Sequence, residues 1–221
     1  MNRRSIITVD GPAGAGKSTI SRQLAERLRF IYLDTGALYR AVAIKLTRLG
    51  FSGDERNLAS LCRDVRIALK KREGKLHVFV DDEDVTDKLR TEEIGIMASR
   101  ISALPEVREA LLSVQRGIAA EGGVVAEGRD MGTVVFPEAE VKFFLDASAR
   151  ERAGRRHREL MARGENISLP DVESDMLQRD RQDRERSVSP LRPSHDAVII
   201  DSTDKTISQV VDIMMGIINT V

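Results

Sequence analysis

The chain has 221 residues and carries 35 Lys and Arg against 35 Asp and Glu, a formal net charge of zero. That balance argues against a strongly basic nucleic-acid coat and against a polybasic membrane binder. A composition of 41% hydrophobic and 32% charged residues is that of a globular domain and excludes a disordered chain. The cations are skewed, with 27 Arg against 8 Lys and no Lys between Lys142 and Lys205. Arginine presents a planar fork of donors suited to phosphate and carboxylate, so the skew favours fixed anion contacts over a diffuse basic surface. The length fits one domain, with room for an insertion. A lone Cys62 excludes an internal disulfide and fits a reducing compartment. No apolar run reaches the length of a membrane span, and the segment after Arg3-Arg4 is too short for a signal peptide. The expected location is therefore the cytoplasm.

Short apolar, β-branched runs occur at Ile6–Val9, Phe30–Leu33, Val124–Ala126, Val141–Leu145 and Ala197–Ile200. Each leads through a polar or glycine-containing turn into a helical pattern. Ile20, Leu24 and Leu28 share one helix face, as do Val107, Leu111, Val114 and Ile118. Ile207, Val210, Val211, Met214 and Ile218 form a closing stripe. Buried strands alternating with helices predict an α/β fold with five parallel strands flanked by helices. One stretch breaks the rhythm. Val65, Ile67 and Leu69, then Leu76, Val78 and Val80, alternate with polar residues around Glu73-Gly74-Lys75, and a third strand is expected near Val85–Leu89. This predicts a small antiparallel insert within the α/β pattern. Cys62 reads as a core residue on a helix, and the three histidines (His77, His157, His195) lack metal-ligand spacing.

Gly11-Pro12-Ala13-Gly14-Ala15-Gly16-Lys17-Ser18 satisfies G-x-x-x-x-G-K-[ST] and sits between a predicted strand and a predicted helix. Its glycines let backbone N–H groups turn inward around phosphate oxygens, and the helix N-terminus adds its positive end. Lys17 would reach the terminal phosphates and Ser18 would ligate Mg²⁺. The N-K-x-D and D-x-x-G motifs of a GTPase switch are missing from the sequence. A small P-loop phosphotransferase remains, with a nucleotide-gated binding module as the reading from another class.

The acceptor side is less explicit. Thr35 is a natural N-cap, which would set Arg40 about one turn into the next helix. Arg129-Asp130 follows a central strand at the end where open α/β sheets bind ligands. Arg179, Asp183 and Arg186 fall at i, i+4 and i+7 of a helix beginning near Pro170, and so share one face. The preceding helix carries Arg152, Arg155 and Arg156 on one side. Residues 150–192 hold 11 Arg, nine Asp or Glu and no aromatic. That composition favours a phosphate-covering lid over a nucleic-acid patch.

The segments Asp10–Thr19, Asp34–Arg40, Gly128–Pro137, Phe144–Ser148 and Arg179–Arg186 closely resemble bacterial cytidylate kinases, P-loop kinases of nucleoside monophosphates. The resemblance spans nearly the whole chain. It implies transfer of the ATP γ-phosphoryl group to CMP or dCMP with Mg²⁺. The chain is expected to be a monomer, and the charge balance to leave it binding neither nucleic acid nor membrane. The resemblance also implies that Gly11–Thr19 bind ATP, with Ser18 at the metal. Arg40, Arg129 and Arg186 would hold the acceptor phosphate, with Thr35 alongside. Ser99, Arg108 and Asp130 would read cytosine, and Arg179 and Asp183 would touch the sugar. Lys17, Arg129, Arg152, Arg155 and Arg156 would neutralise transferring charge. The resemblance divides one kinase domain into a core (1–34, 107–148, 195–221), a monophosphate-binding region with the β insert (35–106) and a lid (149–192). Another small P-loop kinase, for UMP, dTMP or a small metabolite, is the nearest alternative.

Overall fold

A computed structural model describes residues 5–51, 58–63, 65–72, 75–89 and 91–220. The expected residues Arg3, Arg4, Glu73 and Gly74 lie outside this set. The main sheet contains β1 (Ile6–Asp10), β2 (Ile31–Asp34), β6 (Val124–Gly128), β7 (Val141–Asp146) and β8 (Val198–Asp201). All are parallel, in the order β2-β6-β1-β7-β8. The five-stranded sheet expected from the apolar runs is present.

Alternate residues of the strands enter opposite layers, as the two-residue strand period requires. Val124 and Ala126 join Leu33 in a core built with α2 (Thr35–Arg48), α4 (Glu92–Ile101) and α5 (Pro105–Ile118). Val125 joins Ile7, Val9, Phe143 and Leu145 against α1 (Lys17–Leu28) and α8 (Ile207–Ile218). Cys62 is buried on α3 (Leu58–Arg63) within the first core. In the closing stripe, Val210, Val211, Met214 and Ile218 are buried, but Ile207 is 42% exposed. It opens the first turn of α8.

The antiparallel insert is β3 (Ile67–Arg72), β4 (Lys75–Val80) and β5 (Glu83–Asp84). Its third strand lies earlier than the sequence suggests, because Thr86–Lys88 forms a 3₁₀ turn. Val85 and Leu89 still enter the core, as single side chains flanking that turn. Helices α6 (Ala149–Ala162) and α7 (Leu169–Glu185) pack on each other through Ala153, Leu160, Val172 and Met176. The register aligns Asp34 with Glu127 and Asp10 with both Gly128 and Phe144, so four strand ends finish on one rim.

Candidate active site

The phosphate loop leaves this rim at Asp10. Gly11, Gly14 and Gly16 have φ of 147°, 73° and 91°, conformations that disfavour any side chain. A Cβ at Gly11 would lie 2.0 Å from the Leu145 carbonyl oxygen. Gly16 caps α1 without a side-chain hydrogen bond, so the first amides of the helix face outward unclaimed by a cap. Lys17 is buried and its Nζ donates to the Pro12 carbonyl at 2.7 Å. Burial, then the neighbouring Arg129, pushes its amine down to about 7. Ser18 and Thr19 are exposed at the mouth of the loop.

Two arginines of α6 donate to backbone carbonyls of the same loop. Arg152 Nη1 donates to the Ala13 carbonyl at 3.0 Å and Arg155 Nη1 to that of Ala15 at 3.5 Å. Arg152 is buried against Asp180, 2.5 Å away, and Arg155 also holds Ser202. Arg156, more exposed, pairs with Glu159 at 2.9 Å. Three arginines on one side of a helix thus meet three different environments.

Across the rim, Thr35 is not the N-cap of α2. Asp34 is, its carboxylate accepting from the Ala37 amide at 3.0 Å. Thr35 starts the helix, and its hydroxyl donates to the Glu127 carbonyl at 2.7 Å. Gly128 lies beneath it with no room for a Cβ, since Thr35 Oγ1 and Met131 Cε are each 2.8 Å from that point. This docking sets Arg40 beside Asp34, at 4.0 Å.

A chain of alternating charges crosses the rest of the cleft. Arg108 pairs with Asp130. Asp130 lies 3.9 Å from Arg186 Nη2, Arg186 Nη1 lies 3.8 Å from Asp183, and Asp183 accepts from Arg129 Nε at 2.9 Å. Arg108 Nη1 donates at 2.9 Å to the Ser102 carbonyl, and Ser102 donates to that of Ser99, which brings Ser99 of α4 to the same end. Arg186 lies just past the helix that carries Arg179 and Asp183, with extended backbone, so the three converge through a bend and not along a continuous helical face. Burial works against the charge on Arg129, but Asp183 beside it holds its pKa above the usual arginine value. Burial and then Arg129 push Arg179 down to about 10. Burial alone would raise Asp183, yet Arg129 and Arg179 keep it below the ordinary carboxylate range. Arg179 Nε and Arg186 Nη2 are buried donors without hydrogen-bond partners among the described residues. Such donors fit an acceptor with several anionic oxygens.

Some site residues were not singled out from the sequence. Glu127, a carboxylate closing an otherwise apolar strand, is buried and accepts from the Tyr32 hydroxyl. Burial, then Asp34, raises its pKa, while Lys17 pulls the other way. Tyr39 carries Arg108 over its ring at 5.5 Å, and burial pushes its hydroxyl up to about 12. Asp10 bonds two amides after Asp130. Among the described residues, no cluster of three or more His, Cys, Asp or Glu could hold a metal by itself. Magnesium bound through nucleotide phosphates needs only one or two protein oxygens. The Ser18 hydroxyl and the neighbouring Glu127 carboxylate are oxygen donors of that kind.

A phosphate loop opposite an arginine-lined cleft, on a five-stranded parallel sheet, defines a small P-loop phosphotransferase. The family model described as Cytidylate kinase matches residues 7–220. A cytidylate kinase of Citrifermentans bemidjiense is 53% identical over 95% of this chain and 90% of its own length. One from Syntrophotalea carbinolica is 48% identical, over 99% and 93%. Among solved structures, an uncharacterized protein from Eubacterium ventriosum has a TM-score of 0.52 at 12% identity, covering 98% of this chain and 99% of that one. Shikimate kinase from Bacteroides thetaiotaomicron has a TM-score of 0.50 at 11% identity, covering 97% and 98%. These two likenesses concern the fold alone. The chain belongs to the cytidylate kinase family.

Proposed function

We propose that the chain transfers the γ-phosphoryl group of ATP to CMP or dCMP, giving ADP and CDP or dCDP, across the cleft between the phosphate loop and the arginine–aspartate chain. Gly11–Thr19 bind the ATP phosphates. Arg40, Arg129 and Arg186 hold the acceptor phosphate beside Thr35, and Arg179 and Asp183 meet the sugar. Ser99, Arg108 and Asp130 read the base. Residues 35–106 form the acceptor-binding region and residues 149–192 the lid, around a core of 1–34, 107–148 and 195–221. The enzyme works as a cytoplasmic monomer.

The observation that carries this reading is the pairing of Arg108 with Asp130 in a buried corner of the cleft. Cytosine offers an amino donor at N4 and acceptors at N3 and O2, which a carboxylate and a guanidinium complement side by side. Each group satisfies the other until a base takes them both. Uracil would turn an oxygen towards Asp130, a mismatch worth about 1–3 kcal/mol, or roughly 5–150-fold.

No side-chain nucleophile is required, because the attacking oxygen of the acceptor phosphate is already anionic. The work is positioning and charge neutralisation by Lys17, Arg129, Arg152, Arg155 and Arg156. Ser18 and Glu127 would hold Mg²⁺, which would supply charge neutralisation at the nucleotide phosphates. ADP release measured with CMP, dCMP, UMP, AMP, GMP and TMP tests the assignment. The highest kcat/KM is expected with CMP or dCMP, and a faster reaction with any other acceptor overturns it.

A further inference from the structure

Asp130 occupies the N-cap of a single π turn, Met131–Val135, yet its side chain caps nothing. Aspartate at such a position ordinarily folds back onto the first free amides of its own turn. Here the carboxylate points instead to Arg108, with Arg186 at 3.9 Å. The free amides are taken by another strand. Asp10 Oδ1 accepts from the Met131 amide at 2.9 Å, and Asp10 Oδ2 accepts from the Gly132 amide at 2.8 Å. Asp10 is 4% exposed and ends β1, one residue before the phosphate loop. Close approach is needed on the turn side as well, since a Cβ at Gly132 would sit 3.0 Å from Thr8 Oγ1.

We propose that Asp10 is a positioning residue for base selection: by capping the turn from β1, it leaves the Asp130 carboxylate free to face the acceptor base. One side chain thereby ties the root of the phosphate loop to the base-reading corner. Burial pushes Asp10 up to about 6 while the two amides pull the other way, so the carboxylate is ionised at pH 8. An ionised oxygen is the stronger acceptor for an amide. Without it, Asp130 becomes the nearest carboxylate able to cap its own turn, and the base loses its partner.

This inference rests on the reading of Asp130 as a base contact, so the test includes that residue separately. The variants D10N, D130N and D10N/D130N are compared by kcat/KM for CMP and for UMP, by KM for ATP and by thermal midpoint. D130N is expected to lower the CMP-to-UMP ratio by about 10–100-fold. D10N is expected to lower the same ratio about tenfold with KM for ATP within about threefold, and the double variant to fall no further than D130N. An unchanged ratio in D10N, with both acceptors slowed alike, overturns the Asp10 assignment and leaves a purely structural cap. Additive effects in the double variant overturn it too. An unchanged ratio in D130N defeats the Asp130 reading itself, and the Asp10 assignment with it. If D10N folds poorly, the ratio is read in Asp10→Ser, whose hydroxyl still accepts from one amide.

Discussion

Replacing Lys17 with Met lowers kcat by about 10³-fold while raising KM for ATP far less, because the loop amides still hold the nucleotide. The same substitution removes a proton signal. Burial and Arg129 depress the Lys17 amine to about 7. At pH 8 the ligand-free side chain is therefore largely neutral, and bound polyphosphate restores its ordinary charge. ATP binding then takes up close to one proton at pH 8 and almost none at pH 6, where Lys17 is already charged. Calorimetry in buffers of different ionisation enthalpy reads this directly, and the Met variant shows no lysine-linked uptake. The sign for stability follows from the same shift. Between the folded value near 7 and the unfolded value of 10.5, the unfolded chain holds more protons, so this group favours folding more as pH rises. Below pH 7 its full desolvation penalty is present. Lys17→Met should accordingly raise the thermal midpoint of the ligand-free enzyme, more at pH 6 than at pH 9. A lower midpoint would contradict the burial argument.

Arg152→Met has the opposite consequence, a large loss of stability. The side chains of Arg152 and Asp180 are 5% and 2% exposed and lie 2.5 Å apart. The contact is an ion pair without hydrogen-bond alignment, since both Asp180 oxygens lack a hydrogen-bond partner among the described residues. Removing the guanidinium leaves a buried carboxylate alone, at about 3–5 kcal/mol, and frees the Ala13 carbonyl from its donor. The double variant Arg152→Met/Asp180→Leu should recover most of that stability, because an apolar pair replaces a buried ionic one. Activity then separates two roles. If the guanidinium neutralises transferring charge, the stable double variant remains slow, by about 10²-fold in kcat. Activity that returns with stability would reduce Arg152 to a brace for the loop. Chemical denaturation and steady-state kinetics on the three variants decide between them.

The phosphate loop was legible because its glycines and lysine are contiguous and each has a local backbone reason. The parallel strands were legible because burial on both faces leaves continuous apolar runs. Choices settled by distant partners were not. Asp34 and Thr35 are both capping residues in adjacent positions, and the Glu127 carbonyl decides which one caps by engaging the Thr35 hydroxyl. Arg152, Arg155 and Arg156 look equivalent by spacing, yet Asp180, Ser202 and Glu159 give each a different environment. Val85 and Leu89 lie an even number of residues apart, as two residues on one face of a strand do, but a 3₁₀ turn buries the same two side chains. Asp10 looked like the last residue before a motif. Its amide partners lie more than 120 residues further along the chain. The opening charge balance also gains a location. Arg40, Arg108, Arg129, Arg179 and Arg186 gather around the cleft with Asp34, Asp130 and Asp183 interleaved, and acids elsewhere restore neutrality.

The central claim, that one corner of this cleft reads cytosine while the adjoining arginines hold its phosphate, is tested most directly by the structure of the enzyme with CMP bound. The N4 amino group should lie within hydrogen-bond distance of the Asp130 carboxylate, with N3 or O2 on Arg108 and the phosphate on Arg40, Arg129 and Arg186. A base seated away from Asp130, with the Arg108–Asp130 pair still closed on itself, would contradict it.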